Sequence, residues 1–304
     1  MFSLQHANTR IDAPSLPLNS LMISDSRSYC TLLIVSCDAY SDLWTPCLTL
    51  LRRHWPDCPF PVFLGAGRLR TNQSGITMLF SEGGRDWSQC MLDYLQELPS
   101  TYVLVMLDDF FLRKPVSTTN VLACLEFAQR HDATQVRLVP RPGPTKKMLG
   151  NHLIGECTAG QPYRLSTQAA IWNRSKLIEL LRRGESIWEF EHNGNQRISA
   201  INHGFFAVSS PVLPYEGLLA HHVVEKGRWI PHEKWIFGRQ NIGCDFSRRA
   251  TLSMGQTILY HAASLIDRLL DVLPWRTKMA VKGYIKKIIR PIFKRQLSSM
   301  SGVK

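Results

Sequence analysis

Short uncharged blocks alternate along this chain with longer stretches whose apolar residues fall at helical spacing. Thr31–Val35 (TLLIV), Pro61–Leu64 (PVFL), Ile76–Phe80 (ITMLF) and Tyr102–Leu107 (YVLVML) are continuous apolar blocks of strand length. All four read as strands, Thr31–Val35 as a buried one and Tyr102–Leu107 as one buried on both faces. Between them, Asp42–His54 places Leu43, Cys47, Leu48, Leu50 and Leu51 on one helical stripe. Asp86–Leu98 repeats the pattern, with Asp86 as its predicted N-cap. The order strand, helix, strand, strand, helix, strand predicts an α/β domain whose mostly parallel central sheet is flanked by helices.

Downstream, Val116–His131 reads as a helix capped by Ser117 or Thr118, and Gln135–Val139 as a strand. Arg141–Gly160 is rich in Gly, Pro and Lys and reads as a long loop over a site. Leu165–Ile171 reads as a short strand, and Arg174–Arg183 as a helix closed by Gly184. Further strands are predicted near Gly204–Val208 and Leu218–Val224. Residues 1–28 are polar and read as a mobile leader, 29–250 as one catalytic domain, and 251–304 as a basic amphipathic helical tail.

Charge sharpens the reading of the tail. The chain has 304 residues and a net charge of +12, yet residues 276–295 hold eight Lys and Arg and no acid. The excess positive charge is therefore mainly a property of the tail, which argues against a nucleic-acid-binding core, and no nucleic-acid partner is expected. Ile285, Ile288, Ile289 and Ile292 fall at helical spacing among these cations, Trp275 suits an interfacial depth, and Pro291 is expected to kink or end the helix. Residues 275–295 are thus expected to lie on an anionic membrane surface, placing the protein in the cytoplasm, peripheral on the inner face of the cell membrane. The eight cysteines are scattered without a C-x-x-C pair, which points to reduced thiols rather than to disulfides or zinc. The first residues lack the apolar core of a signal peptide, and no apolar run reaches the ~18–20 residues of a membrane span.

The candidate chemistry gathers at strand ends. Asp108 and Asp109 come directly after an uncharged strand, and two acids there are costly without a partner. Such a pair suits a divalent cation that in turn holds a diphosphate, while a salt bridge to Arg113 or Lys114 is the structural alternative. Ser36, Cys37 and Asp38 close the first strand, where such folds read the base or ribose, or where Asp38 or Ser41 caps the next helix. No dinucleotide-binding or P-loop glycine pattern is present. In Gly83–Trp87, Arg85 suits a phosphate, and Trp87 suits a base or the helix beside it. Ser186–Glu191 alternates Trp188 and Phe190 with Glu189 and Glu191. An acid beside aromatic surface suits general-base work on a hydroxyl, and the rings suit the apolar faces of sugars. The same acids also suit a helix N-terminus. His221 and His222 are candidates for a metal or a phosphate, and Lys226 and Arg228, around Gly227, for a leaving diphosphate.

Taken together, these residues resemble bacterial glycosyltransferases with the GT-A fold, enzymes that build surface polysaccharides from nucleotide-sugars. The matching pieces are Ser36–Asp38, LDDFF at Leu107–Phe111, YRLSTQAAIW at Tyr163–Trp172, WEFE at Trp188–Glu191 and VEKGRW at Val224–Trp229. They span about residues 30–230 and carry the resemblance by order and spacing. The family places a D-x-D or related acid motif at the end of a central strand, where this chain has DDF. The resemblance implies a donor nucleotide-sugar near Ser36, Cys37, Asp38, Arg85, Trp87 and Asp108. It implies Mn²⁺ or Mg²⁺ on Asp109, with Asp108 and His222 beside it. Glu191, then Glu189, would be the base of an inverting transfer to a glycan or lipid-linked acceptor held by Trp188 and Phe190. A nucleotidyltransferase, a metal-dependent phosphohydrolase and a non-catalytic membrane or nucleic-acid binding module remain the alternatives.

Overall fold

The computed structural model of this chain describes residues 29–82, 86–201, 203–217 and 222–270, with Thr277, Ala280, Val281, Gly283 and Tyr284 beyond them. The leader 1–28, Arg85, His221 and most of the basic segment 275–295 lie outside the described residues.

The predicted apolar blocks form the first half of one nine-stranded sheet. β1 (Cys30–Val35) is buried at every position and runs parallel to β2 (Val62–Ala66) on one side. β3 (Ile76–Phe80) continues the parallel pairing beyond β2, and β4 (Tyr102–Leu107) lies on the other side of β1. Because successive strand side chains point to opposite faces, these uncharged runs feed two cores. Leu32, Ile34, Leu104 and Met106 join one cluster, and Leu33, Val35, Val103 and Val105 the other. The first is covered by α1 (Trp44–His54) and α3 (Thr118–Arg130), and the second by α2 (Trp87–Glu97). Two predicted caps form: Asp86 accepts from Gln89 N, and Ser117 from Asn120 N.

Beyond β4 the strand direction changes. β5 (Gln135–Arg137) and β8 (Ala170–Asn173) are antiparallel to each other, and β8 is antiparallel to β4. The parallel pairing of the first half therefore does not extend across the sheet. The segment 141–160 is not one loop: β6 (Lys146–Met148) and β7 (Asn151–Glu156) form a hairpin that turns at Gly150 with φ +74°. Only Gly fits at 155, where a Cβ would come within 2.7 Å of Lys146 O. The sheet is completed by β9 (Phe205–Val208), parallel to β5 and antiparallel to β7. The strand expected to begin at Leu165 begins instead at Ala170, because both backbone groups of Leu165 pair with the Asn195 side chain.

α4 (Arg174–Leu180) comes after β8, and α5 (Ile187–Arg197) covers the second core. Of the predicted strand Leu218–Val224, residues 218–221 lie outside the described residues and only Val224 is in a strand, the start of a hairpin of β10 (Val224–Glu225) and β11 (Arg228–Trp229). Backbone hydrogen bonds from Trp229 N to Ala250 O and from Leu252 N to Trp229 O lay the later chain along it. α6 (Pro231–Gly238) and α7 (Met254–Leu270) close the described chain.

Candidate functional site

The parallel register pairs Val35 with Leu107, so the C-terminal ends of β1 and β4 lie side by side. This brings Ser36 to Asp108. Ser36 Oγ donates to Asp108 Oδ2 and itself accepts from Trp44 Nε1 at 2.6 Å. Asp108 is buried. Burial pushes its carboxyl well above the usual carboxylate range, and the neighbouring Asp109 charge adds to that, against the Ser36 hydrogen bond and the Arg249 charge. Burial raises the Asp109 carboxyl too, opposed chiefly by His222. Asp109 Oδ1 is buried and has no hydrogen-bond partner. Two destabilised carboxylates, one with an orphaned oxygen, form a donor set that suits a hard divalent cation.

Arg249 is the cation built into this site, and nothing in the local sequence around Asp108 announces it. Its guanidinium grips Asp42 through Nε at 2.7 Å and Nη2 at 2.6 Å. It also donates to Ala39 O at 2.6 Å and lies 4.1 Å from the centroid of the Tyr40 ring. A bidentate guanidinium held this way is fixed in direction as well as in place.

Several expected site residues have other work. The Asp38 carboxylate accepts from the backbone N–H groups of Gly67, Arg68 and Leu69 at 2.9–3.2 Å, so it closes the turn after β2 rather than facing a ribose. Cys37 is exposed beside it. Trp87 packs on Phe190 with ring centroids 5.3 Å apart, and Phe190 is buried. Phe190 is thus a core residue rather than a sugar platform, and the face of Trp87 is spent on it rather than on a base. Trp188, in contrast, is 75% exposed on the same helix. Lys226 and Gly227 form the β10–β11 turn with φ +50° and +76°, and Lys226 and Arg228 are exposed. His222 Nε2 pairs with Glu225 Oε2 at 3.0 Å. Burial works against a charged ring there, but the bond to Glu225 and the Asp109 charge prevail and raise the His222 pKa. The bond ties one ring nitrogen of His222 to Glu225, beside Asp109.

The two candidate bases separate clearly. Glu189 belongs to a capping box: its carboxylate accepts from Ser186 N at 2.8 Å, and Ser186 Oγ accepts from Glu189 N at 3.3 Å. That fixes the start of α5 and removes Glu189 from the candidate bases. Glu191, one residue past Phe190, points to a polar turn. Its Oε1 accepts from Ser166 Oγ at 3.0 Å, Thr167 N at 2.7 Å and Thr167 Oγ1 at 3.0 Å. Two hydroxyls and an amide hold this oxygen, and on the helix Glu191 lies one turn from Trp188. A continuous path joins it to the acid pair. Phe110 stacks on Tyr215 at 4.3 Å, Tyr215 Oη donates to Gln168 Oε1 at 2.7 Å, and Gln168 adjoins Thr167.

Among the described residues, no three His, Cys, Asp or Glu side chains are grouped so as to hold a metal ion. Asp108 and Asp109 supply two carboxylates, the number with which Mg²⁺ is commonly held when substrate phosphates complete its shell.

No known family matches this sequence, and no curated protein does. Among solved structures the chain is similar to TarS of S. aureus, with 9% identity over 60% of each chain and a TM-score of 0.36. It therefore spans 60% of the length of that TarS chain. It is also similar to the galactosyltransferase LgtC in complex with donor and acceptor sugar analogues, with 11% identity, 57% of this chain and 66% of that one, and a TM-score of 0.33. A third neighbour is the CMP:2-keto-3-deoxy-manno-octonic acid synthetase complexed with CTP, with 10% identity, 62% of this chain and 94% of that one, and a TM-score of 0.35. At these scores the neighbours do not decide what the site does, and its own residues have to.

Proposed function

We propose that this protein is a glycosyltransferase of the GT-A type that moves a sugar from a nucleotide-sugar to a hydroxyl of a glycan or lipid-linked acceptor in surface-polysaccharide synthesis. The observation that carries the reading is the unpartnered Asp109 Oδ1 beside buried Asp108, at the joined ends of β1 and β4. Ligands of open α/β sheets bind at such strand ends. Asp109, with Asp108, would hold Mn²⁺ or Mg²⁺. When bound, the cation supplies charge neutralisation for the donor diphosphate.

The chain's own residues divide the remaining work. Ser36, anchored by Trp44, fixes the direction of Asp108. Arg249 offers fixed positive charge where the departing nucleoside diphosphate gains negative charge, and the exposed Lys226 and Arg228 add cations at the β10–β11 hairpin. Glu191 takes the proton of the acceptor hydroxyl in an inverting transfer, and Trp188 gives the acceptor sugar an exposed ring.

The deciding experiment is thermal melting with a panel of nucleoside diphosphates, each with and without Mn²⁺, and then product analysis. A metal-dependent rise with one nucleotide, and release of that nucleoside diphosphate from its sugar conjugate, are the expected results. Pyrophosphate release would make the protein a nucleotidyltransferase, and inorganic phosphate a phosphohydrolase. No rise with any nucleotide would leave a binding module.

A further inference from the structure

α7 has one face occupied and one face open. Tyr260 packs against Ile230 and Leu252, its ring lies 6.1 Å from that of His222, and the His261 ring lies 4.9 Å from that of His232. Those contacts seat the helix on the core. Met254, Ile258, Leu265 and Leu269 are 81, 61, 55 and 64% exposed. At 3.6 residues per turn, positions 254, 258, 265 and 269 fall within about 60° of one another, so the four make one stripe along the length of the helix. His261, between Ile258 and Leu265 in the turn pattern, packs at the edge of this stripe, and four large apolar side chains left exposed along it are too many for scattered surface residues.

The charge of the chain beyond α7 points to the occupant. From residue 276 to 295 the chain carries eight Lys and Arg and no acid. A surface that meets both features is apolar inside and anionic at its rim. A second copy of this chain would bring another eight cations beside the first, and a nucleic-acid backbone would leave the apolar stripe in water. Among the described residues, no helix is long and apolar enough to cross a membrane. We propose that α7 lies flat on an anionic phospholipid bilayer, with Met254, Ile258, Leu265 and Leu269 inserted at the boundary of headgroups and acyl chains. The anchor thus begins well before the basic segment, in a helix packed directly against the core. Apolar insertion supplies binding that the cations alone do not.

The test uses the full chain with vesicles of phosphatidylcholine alone and with phosphatidylglycerol added. Cosedimentation with the anionic vesicles only is expected. The variant Ile258→Asp/Leu265→Asp keeps every basic residue, and its partitioning should fall at least about tenfold. Both positions are exposed, so its melting temperature should match that of the parent. Should that variant fail to fold, Ile258→Trp gives an independent reading: the added indole should shift to the blue on anionic vesicles and be quenched by nitroxide-labelled acyl chains. Undiminished binding of the double Asp variant, or an added indole that stays in water, would overturn the proposal. So would a dimer in sedimentation velocity that ignores vesicles and dissociates in the double variant, since a second copy would then cover the stripe.

Discussion

Asp109 keeps a buried carboxylate oxygen without a partner next to a second buried acid, and both carboxyls are pushed upward by burial. A fold keeps such an arrangement at a cost in stability, because like charges and lost hydration both oppose it. Asp109→Asn should therefore raise stability by roughly 1–2 kcal/mol at neutral pH, read as the denaturant midpoint. It should also abolish the Mn²⁺-dependent thermal shift and lower transfer by about 100-fold or more. A gain in stability with the Mn²⁺ shift intact would show that the pair merely repels and binds no metal. The acid pair is legible in the sequence because it comes directly after an uncharged strand. Arg249 is not: only the return of the later chain along β11 brings it to Asp42. Asp38 departs from the expected ribose contact for a related reason. The three amides that occupy it come from the turn after β2, a contact between two segments that local pattern does not record.

At the scale of the element, α5 carries Glu191, so what fixes α5 fixes the candidate base. The S-x-x-E spacing of Ser186 and Glu189 is a helix-start signal already present in the sequence, and it outweighs the alternating pattern that also allows a strand. Ser186→Ala should cost about 1 kcal/mol in thermal or chemical unfolding. A second tie joins the two ends of the helix. Arg197 donates to both oxygens of Glu185 at 2.7 and 2.8 Å, and Asn193 donates to Oε1. The hydrogen bonds from Arg197 lead in holding the Glu185 carboxyl below its ordinary 4.5, against partial burial. A depressed acid contributes stability above its unfolded pKa and loses it as pH falls through the folded value. The stability gap between the parent and Arg197→Ala should thus be full near pH 7 and shrink below about pH 4, leaving only the packing of Arg197 on Phe190. A gap independent of pH would refute the ion-pair account. The β6–β7 hairpin is illegible for the opposite reason: its Gly, Pro and Lys content is that of a loop, and its pairing rests on Gly150 and Gly155, which pattern alone does not place.

Across the whole molecule, the parallel strands β1–β4 are readable as uncharged blocks. The second half, made of three- to six-residue strands in mixed directions, is readable only in part. Besides the β4–β8 pairing and the Arg249–Asp42 pair, a further ion pair ties the later chain to the first half. Arg113, four residues past Asp109, pairs with Glu233 of α6, donates from Nε to Tyr215 O at 2.7 Å, and lies 4.9 Å from the centroid of the Phe237 ring. Glu233 is fully buried. The pair thus locks the loop after the acid strand to α6, and the same loop presents Phe110 to Tyr215. Without Arg113, Glu233 keeps among the described residues only the His232 ring at 2.7 Å, whose pKa burial pushes down, so Arg113→Ala should lose up to about 3–5 kcal/mol, measured by urea unfolding. Replacing both partners with apolar residues, as in Arg113→Met/Glu233→Leu, removes the stranded charge together with the pair, and most of that loss should return. If the double variant is as unstable as Arg113→Ala, the Arg113 contacts to Tyr215 and Phe237, rather than the charge on Glu233, join the two halves of the molecule.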